Sequence, residues 1–390
     1  MNKLQFDPEM LTLRLVNPQK EDLGIINAIE PDIEANIFTI DRYRLEVSLS
    51  CDLSCEYCVV HMNNVLQQGN KMTIDAAKEI LHKFRNEVGE KGSIFLMGGE
   101  PLTNWNVVRY IIENNPGNSI IFTNSNQLDD EKISFLKEHD VFILTSLDGS
   151  TLEHNKARFY PQVEKRFDRI SNNITKAIDA GCKVGVSCVV HNDNISDLIE
   201  IAEFFTKRIK AKAMSFAYPH FTVEDSSTND FPMDEYTKKM CELFDFSKKN
   251  KVYIDQIGKK VASLLTRKKV VAACKIGLSQ RTFYPDGKET LCTKLDTLDH
   301  YAANDYVDIL PRSNKGCKDC IALHLCGGGC PWDASVASNS FGVDKRICGF
   351  NQDLVNYILR DIEHTLRYAK TKEEAIDLLQ TTYEPLTRPS

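Results

Sequence analysis

The chain has 390 residues, 42% of them apolar and 26% charged, with ordinary glycine and proline counts, a composition that fits a globular protein and excludes a disordered or fibrous one. A formal net charge of −7 with no long basic run argues against nucleic-acid or membrane-surface binding. The N-terminal "MNKLQFDPEMLTLRL" lacks the apolar core of a signal peptide and no apolar run reaches the roughly 18 residues of a membrane span. A cytoplasmic location is therefore expected, where the 13 cysteines would not form structural disulfides.

The first part, 1–42, reads as an N-terminal extension. From Tyr43 the pattern alternates short apolar runs with amphipathic stretches. "YRLEVSLS" (43–50), "SIFLM" (93–97), "SIIFT" (119–123), "VFILTS" (141–146), "KVGVSCVV" (183–190) and "AMSFAYP" (213–219) predict strands, β-branched and bounded by turn residues. Between them, Thr73 caps a helix whose apolar face is Ala77, Leu81, Phe84 and Val88, closed by Gly89. Phe167, Ile170, Ile174 and Ile178 mark a second helix, and Ile195, Leu198, Ala202 and Phe205 a third. Strand–helix alternation at this spacing implies a parallel sheet with right-handed crossovers. Six such units, without two more, predict an α/β fold, a partial (β/α)6 TIM-like barrel over 43–250, with a flat parallel sheet the alternative that periodicity alone leaves open. Beyond it, in 251–350, a helix over 257–267 leads into a hairpin around Pro285-Asp286-Gly287 and then into loops dense in cysteine and glycine. The tail, 351–390, places Leu354, Ile358, Ile362 and Leu366 on one helical face.

The cysteines are unevenly spread. Cys51, Cys55 and Cys58 directly follow the first strand, at the carboxyl edge of the sheet where ligands bind in such folds. On spacing alone they fit either a zinc ion with His61 as a fourth ligand, or three irons of a [4Fe–4S] cluster. "LMGGEPL" (96–102) ends the second strand on the same edge. There Gly98 and Gly99 allow close backbone approach, and Glu100 offers a carboxylate to an ammonium group. Seven more cysteines lie late in the chain. Cys274, Gly287 and Cys292 give C-x12-G-x4-C; Cys317, Cys320, Cys326 and Cys330 give C-x2-C-x5-C-x3-C; and Cys348 follows. Taken alone, the four-cysteine run also fits a zinc ribbon. Cys182 and Cys188 read as small core residues, and Cys241 lies on a helix. "AYPHF" (217–221) ends the sixth strand, so Tyr218 and His220 are candidates to face a substrate.

The cysteine triplet after strand one and Gly-Gly-Glu-Pro after strand two resemble the radical S-adenosylmethionine (SAM) enzymes. "TNSNQL" (123–128) is similar to that family's Thr-Asn-Gly turn, with Ser125 in place of glycine. "SLDGSTLEHNKAR" (146–158) resembles the Ser-x-Asp-Gly…His…Arg segment of its peptide-modifying branch. The seven late cysteines match the family's SPASM extension, which implies a C-terminal Cys-rich SPASM domain. The resemblance implies that Cys51, Cys55 and Cys58 ligate a SAM-binding [4Fe–4S] cluster. Gly98, Gly99 and Glu100 would bind the methionine amino group, and Tyr57 would lie against adenine. Ser146 and Arg158 would hold the carboxylate and ribose or serve structurally, and Asp148 would fix the turn before Gly149. Two auxiliary clusters are implied, one held by Cys317, Cys320, Cys326 and Cys348, the other by Cys274, Cys292 and Cys330 with no local fourth thiol. The chemistry implied is reductive cleavage of SAM to a 5′-deoxyadenosyl radical, fed by an electron donor of flavodoxin or ferredoxin type.

A ribosomally made precursor peptide, crosslinked by a thioether, C–C or C–O bond, is the expected substrate. A full leader-binding winged-helix domain is not expected within residues 1–42. Other SPASM oxidations stand as alternatives, such as side-chain dehydrogenation or tetrapyrrole modification, as does a non-catalytic iron–sulfur or zinc scaffold. Two departures count against sulfatase maturation. No cysteine follows Cys274 within "KIGLSQRTFYPDGKETL", and Thr293 stands where those maturases carry an aspartate.

Overall fold

A computed structural model describes residues 1–17, 22–28, 39–58, 70–220, 231–297, 315–338 and 343–388. The chain forms two compact units. One comprises Met1–Ile37, Pro232–Cys274 and Asp305–Ser390, the other Phe38–Phe231 and Lys275–Asn304. Compactness thus divides the chain elsewhere than at residues 43, 251 and 351.

In chain order, the first unit opens with β1 (Lys3–Asp7), β2 (Thr12–Val16) and β3 (Gly24–Ile25). The second unit then contributes β4 (Arg42–Ser48), α1 (Ile74–Glu87), β5 (Ser93–Gly98), α2 (Trp105–Asn114), β6 (Asn118–Thr123) and α3 (Asp130–Glu138). It continues with β7 (Phe142–Ser146), α4 (Lys156–Phe159), α5 (Val163–Asp179), β8 (Lys183–Val189), α6 (Leu198–Lys207) and β9 (Ala213–Ala217). The chain returns to the first unit for α7 (Met233–Asn250), β10 (Tyr253–Ile254) and α8 (Asp255–Thr266). It adds β11 (Gln280–Phe283) and β12 (Glu289–Thr290) to the second, and ends in the first with α9 (Leu323–Cys326), α10 (Pro331–Ser338), α11 (Arg346–Leu366) and α12 (Lys372–Tyr383).

In the second unit β4 to β9 pair in sequence order, every neighbour parallel, with Leu45 opposite Leu96 and Leu96 opposite Ile121. Parallel neighbours need a crossover on one face, and α1, α2, α3, α5 and α6 supply it. This is the α/β partial barrel expected from the alternation of strand and helix periods. Every other strand residue points to the helices, so Tyr43, Leu45, Val47, Ile94, Leu96 and Ile121 are buried in one core. Helix α1 starts where Thr73 accepts a hydrogen bond from the Ala76 amide (3.1 Å), and it buries Ala77, Ile80, Leu81 and Phe84 at helical spacing. Ile80 takes the place expected for Val88, which is the C-cap and only partly buried.

The hairpin read as part of the cysteine-rich region belongs instead to this sheet. β11 pairs parallel with β4, Thr282 opposite Arg44, and β12 pairs antiparallel with β11. Lys275 Nζ on Asp41 (2.8 Å) holds the approach to β11 beside the start of β4.

The first unit is not a featureless extension at its start. β1 and β2 pair antiparallel, β3 joins β2, and Leu11, Leu13 and Leu15 are buried. The side chain of Asn2 donates to the Leu366 and Ala369 carbonyls (3.1 and 2.8 Å), satisfying the orphan end of α11. Helices α7, α11 and α12 pack through aromatic side chains, with Tyr236 on Phe350 and Phe244 on both Tyr357 and Tyr383. Leu354, Ile358, Ile362 and Leu366 are buried together, as their spacing predicts. No helix among the described residues is long and apolar enough to cross a membrane.

Thr73→Ala removes the cap of α1 and should destabilise the protein by about 1 kcal/mol. A lower urea midpoint at unchanged slope is the expected reading.

Candidate functional site

The loops after β4, β5, β6, β7 and β8 all leave the same edge of the sheet. Cys51, Cys55 and Cys58 lie in the first. The Cys51 sulfur accepts from the Leu53 amide (3.4 Å) and the Cys58 amide donates to the Cys55 carbonyl (3.1 Å), so the loop turns back on itself. Burial pushes the Cys51 thiol up to about 12 and Cys55 up to about 11. Each has another thiol of the triplet as a charge neighbour, Cys55 for Cys51 and Cys58 for Cys55. A cationic centre is what such sulfurs need to ionise, so the donor set fits a metal cluster. His61 lies outside the described residues.

Asp52 anchors this loop to the one after β6. Its carboxylate accepts from Asn124 (2.7 Å), Asn126 (2.8 Å) and Gln127 (3.0 Å). The sequence marked "TNSNQL" as a turn without showing that its amides point at Asp52. Within this turn Ser125 has φ +60°, a left-handed conformation that glycine adopts without penalty. Its hydroxyl lies 2.6 Å from that of Thr145 at the neighbouring strand end, both fully buried.

The two glycines after β5 have a local reason. A Cβ on Gly98 would lie 2.1 Å from the Ser48 carbonyl oxygen, and one on Gly99 2.6 Å from that of Ser50. The Gly99 and Glu100 amides donate to those same carbonyls (2.7 and 2.9 Å). The glycines therefore let the ends of β5 and β4 close together, directly before the cysteine loop. Glu100 is then directed inward, 1% exposed. Its Oε1 accepts from the Leu102 amide (3.0 Å) and the Thr123 hydroxyl (2.7 Å), and its Oε2 from the Asn124 amide (2.7 Å). Burial outweighs these bonds and pushes its carboxyl up to about 7.

Half-buried Tyr57 and the buried Asp148 and Arg158 form one unit. Arg158 grips Asp148 with two bonds, Nε to Oδ2 (2.9 Å) and Nη2 to Oδ1 (3.0 Å). The Tyr57 hydroxyl donates to Oδ2 and the Val189 amide to Oδ1 (3.0 Å). Burial alone would lower Arg158, but Asp148 beside it raises it well above its ordinary value. The Arg158 guanidinium also sits 5.4 Å from the Tyr57 ring centre, and His191 stacks on that ring at 6.2 Å. Of the two roles expected for Arg158, its hydrogen bonds serve the structural one. Ser146 ends β7, half-buried; Asn155 and Asn194, which the sequence did not single out, hold the Asp148 backbone amide (2.9 Å) and carbonyl (3.0 Å).

Cys188 is buried with its thiol on the Asp148 carbonyl (3.4 Å), and Cys182 donates to the Ile133 carbonyl (3.6 Å). Tyr218 is half-buried and His220 exposed, both just past β9. In the other unit Cys241 lies on α7. There Cys317, Cys320, Cys326 and Cys348 converge. Burial raises Cys317, Cys326 and Cys348, and each has others of this set as charge neighbours. Gln352, one turn along α11 from Cys348, donates to the Cys320 sulfur (3.5 Å). Cys274 and Cys330 belong to this same unit, Cys292 to the barrel unit.

Two substitution tests follow from these contacts. Ser125→Gly relieves the left-handed strain while losing the Thr145 contact and should be nearly neutral, whereas Ser125→Ala keeps the strain, loses the bond and should cost about 1–3 kcal/mol. Arg158→Met strands a fully buried carboxylate and should cost about 3–5 kcal/mol in chemical denaturation, with Arg158→Lys falling between it and the wild type.

Residues 45–205 match the model of the Radical SAM superfamily. The chain is 20% identical to the radical SAM cyclopropyl synthase TigE of Paramaledivibacter caminithermalis, over 84% of this chain and 76% of that protein. It is 23% identical to a cysteine-type anaerobic sulfatase-maturating enzyme of Clostridium novyi, over 41% of this chain and 46% of that one. Among solved structures, anSMEcpe with bound AdoMet superposes with a TM-score of 0.67 at 18% identity, covering 83% of this chain and 100% of that one. SuiB of Streptococcus suis, bound to its precursor peptide SuiA, gives a TM-score of 0.58 at 14% identity, covering 80% of this chain and 76% of that one. With the matched region laid over β4 to α6 and its cysteine loop at the sheet edge, residues 45–205 of the chain form a radical SAM domain.

Proposed function

We propose that the chain binds SAM and a [4Fe–4S] cluster at the edge after β4 and β5, and modifies a ribosomally made precursor peptide. The observation that carries the binding site is the meeting of three half-buried thiols with an inward carboxylate, Glu100, on adjacent strand ends. Cys51, Cys55 and Cys58 would hold three irons. The chemistry supplied by SAM and a reduced cluster, when bound, is cleavage of a carbon–sulfur bond to methionine and a 5′-deoxyadenosyl radical that removes a hydrogen atom. The chain's own part is to hold and to exclude water. Asp52 and Asp148 pin the cysteine loop from two sides, and Glu100 offers acceptor capacity to an ammonium. A carboxylate has about four acceptor sites, and Glu100 uses three within the protein, leaving one on Oε2.

The peptide reading is supported by the company the chain keeps. TigE is named a cyclopropyl synthase and SuiB was solved with a precursor peptide. Cys317, Cys320, Cys326 and Cys348 would hold an auxiliary cluster, and the full complement would be three clusters, about twelve irons per chain. Sulfatase maturation has the C. novyi relative in its favour, and against it the missing thiol after Cys274 and the threonine at 293. Mass spectrometry separates them. Reduced enzyme with SAM and Cys-, Trp- or Tyr-rich peptides encoded beside its gene should give crosslinked products lacking two hydrogens. Conversion of a lone peptide cysteine or serine to an aldehyde would favour the other reading.

Replacing Cys51, Cys55 and Cys58 together with alanine should remove about four irons and all 5′-deoxyadenosine formation. Continued formation of that product would disprove the assignment. Glu100→Gln should weaken SAM binding by about 1.5–3 kcal/mol, because the amide loses the charge and turns a donor on one of its own donors. The sign of the pH effect is fixed by the raised carboxyl. Below about 7 it holds a proton that competes with the ammonium, so SAM affinity should weaken by up to about tenfold per unit as pH falls. Glu100→Gln should flatten that dependence, which titration of SAM by cluster EPR would read.

A further inference from the structure

Lys260 is the most deeply buried lysine described, 6% exposed, in the middle of α8. Its ammonium donates to the Gln256 carbonyl of its own helix (3.2 Å) and lies 5.4 Å from the Phe350 ring centre, two residues past Cys348. No carboxylate among the described residues pairs with it. The nearest on its helix, Asp255, accepts from Lys259 (2.8 Å) and Tyr253 (2.9 Å) instead. A buried cation without an anion costs several kcal/mol. α8 packs against α9, which ends in Cys326, and of the ionisable groups around Lys260 the Cys326 sulfur has the largest charge effect favouring the ammonium.

We propose that Lys260 is the fixed counter-charge of the iron–sulfur cluster held by Cys317, Cys320, Cys326 and Cys348, and that it raises that cluster's reduction potential. The inference rests on the cluster assignment above. Four thiolates around a [4Fe–4S] core leave the oxidised centre negative, and one-electron reduction adds a further negative charge. A cation held in a low-dielectric interior stabilises the reduced form more than the oxidised one. Two further donors act on the same sulfurs in the same direction, the Gln352 amide on Cys320 (3.5 Å) and the Gly328 amide on Cys326. Lys260 differs from them in carrying a whole charge, with no carboxylate among the described residues paired to it.

The test is an EPR redox titration of anaerobically reconstituted full-length protein. Cys51, Cys55 and Cys58 are replaced by alanine to silence the first site, and the relevant signal is the one lost on adding Cys320→Ala. Lys260→Met should move its midpoint to more negative potential by at least tenfold in the reduction equilibrium, about 59 mV for one electron. Lys260→Arg, which keeps the charge, should stay near the starting value. If Lys260→Met fails to retain the cluster, Lys260→Gln is titrated in its place. A midpoint unmoved by loss of the charge overturns the inference while leaving the cluster in place, as does an equal shift in Lys260→Arg. If Cys320→Ala and Cys326→Ala remove no iron, the cluster assignment fails and the role of Lys260 falls with it.

Discussion

The buried carboxylate of Asp148 is the fixed point of the barrel's working edge. Arg158 reaches it from α4, Tyr57 from the cysteine loop and the Val189 amide from the end of β8, and all four of its acceptor sites are filled. Breaking such a pair from one side leaves an uncompensated charge in the interior, which is far more costly than the pair's net contribution when intact. Three loops distant in sequence are therefore held as one body. Since Tyr57 stands between Cys55 and Cys58, any slack at Asp148 would pass directly to the thiols. The proposed cluster site would need its sulfurs fixed to within a fraction of an ångström, and this unit is one device that would fix them.

Asp52 is a second such device. It fastens the start of the same loop to three amides after β6, while Gly98 and Gly99 bring β5 close enough for the Gly99 and Glu100 amides to bond the carbonyls of Ser48 and Ser50. The loop is braced toward β6 at one end and toward β7 at the other. The departure from the family's glycine at Ser125 falls within this brace, where a hydroxyl bond to Thr145 offsets the left-handed backbone.

Much of this was legible in the sequence. Strands β4 to β9 each carry a short apolar period bounded by turn residues, and the cysteine spacings are local, although spacing alone fits zinc as well as an iron–sulfur cluster. What was hidden depends on long-range pairing. Nothing in "RTFYPDGKETL" states that Gln280–Phe283 will lie parallel to Arg42–Leu45, because a hairpin's own pattern fixes its turn and not its neighbour. Asn124 and Asn126 read as part of a turn and Asp52 carried no signal of its own, since short polar side chains bond their own backbone as readily as distant partners. Arg158 was visible as a motif residue, but whether it faced a ligand or Asp148 depended on where a carboxylate ten residues away was aimed. Lys260 was hidden on a helix otherwise read from its apolar period.

The contrast between the two inward carboxylates separates scaffold from chemistry. Asp148 and Glu100 are equally inaccessible, at 0% and 1% exposure, and both receive backbone amides. Asp148 is opposed by a guanidinium and has every lone pair committed, so it has nothing left to offer a ligand. Glu100 faces no cation among the described residues, is raised to about 7 by burial, and keeps one acceptor site on Oε2. A buried carboxylate without a counter-charge is a standing cost that a bound ammonium removes. Lys260 presents the same imbalance with the sign reversed: a buried ammonium near the Cys326 thiol, with no carboxylate among the described residues paired to it. In each case the missing charge is the one the proposed occupant would bring, cationic at Glu100 and anionic at Lys260. Both imbalances are thus accounted for by the groups the cysteine motifs call for.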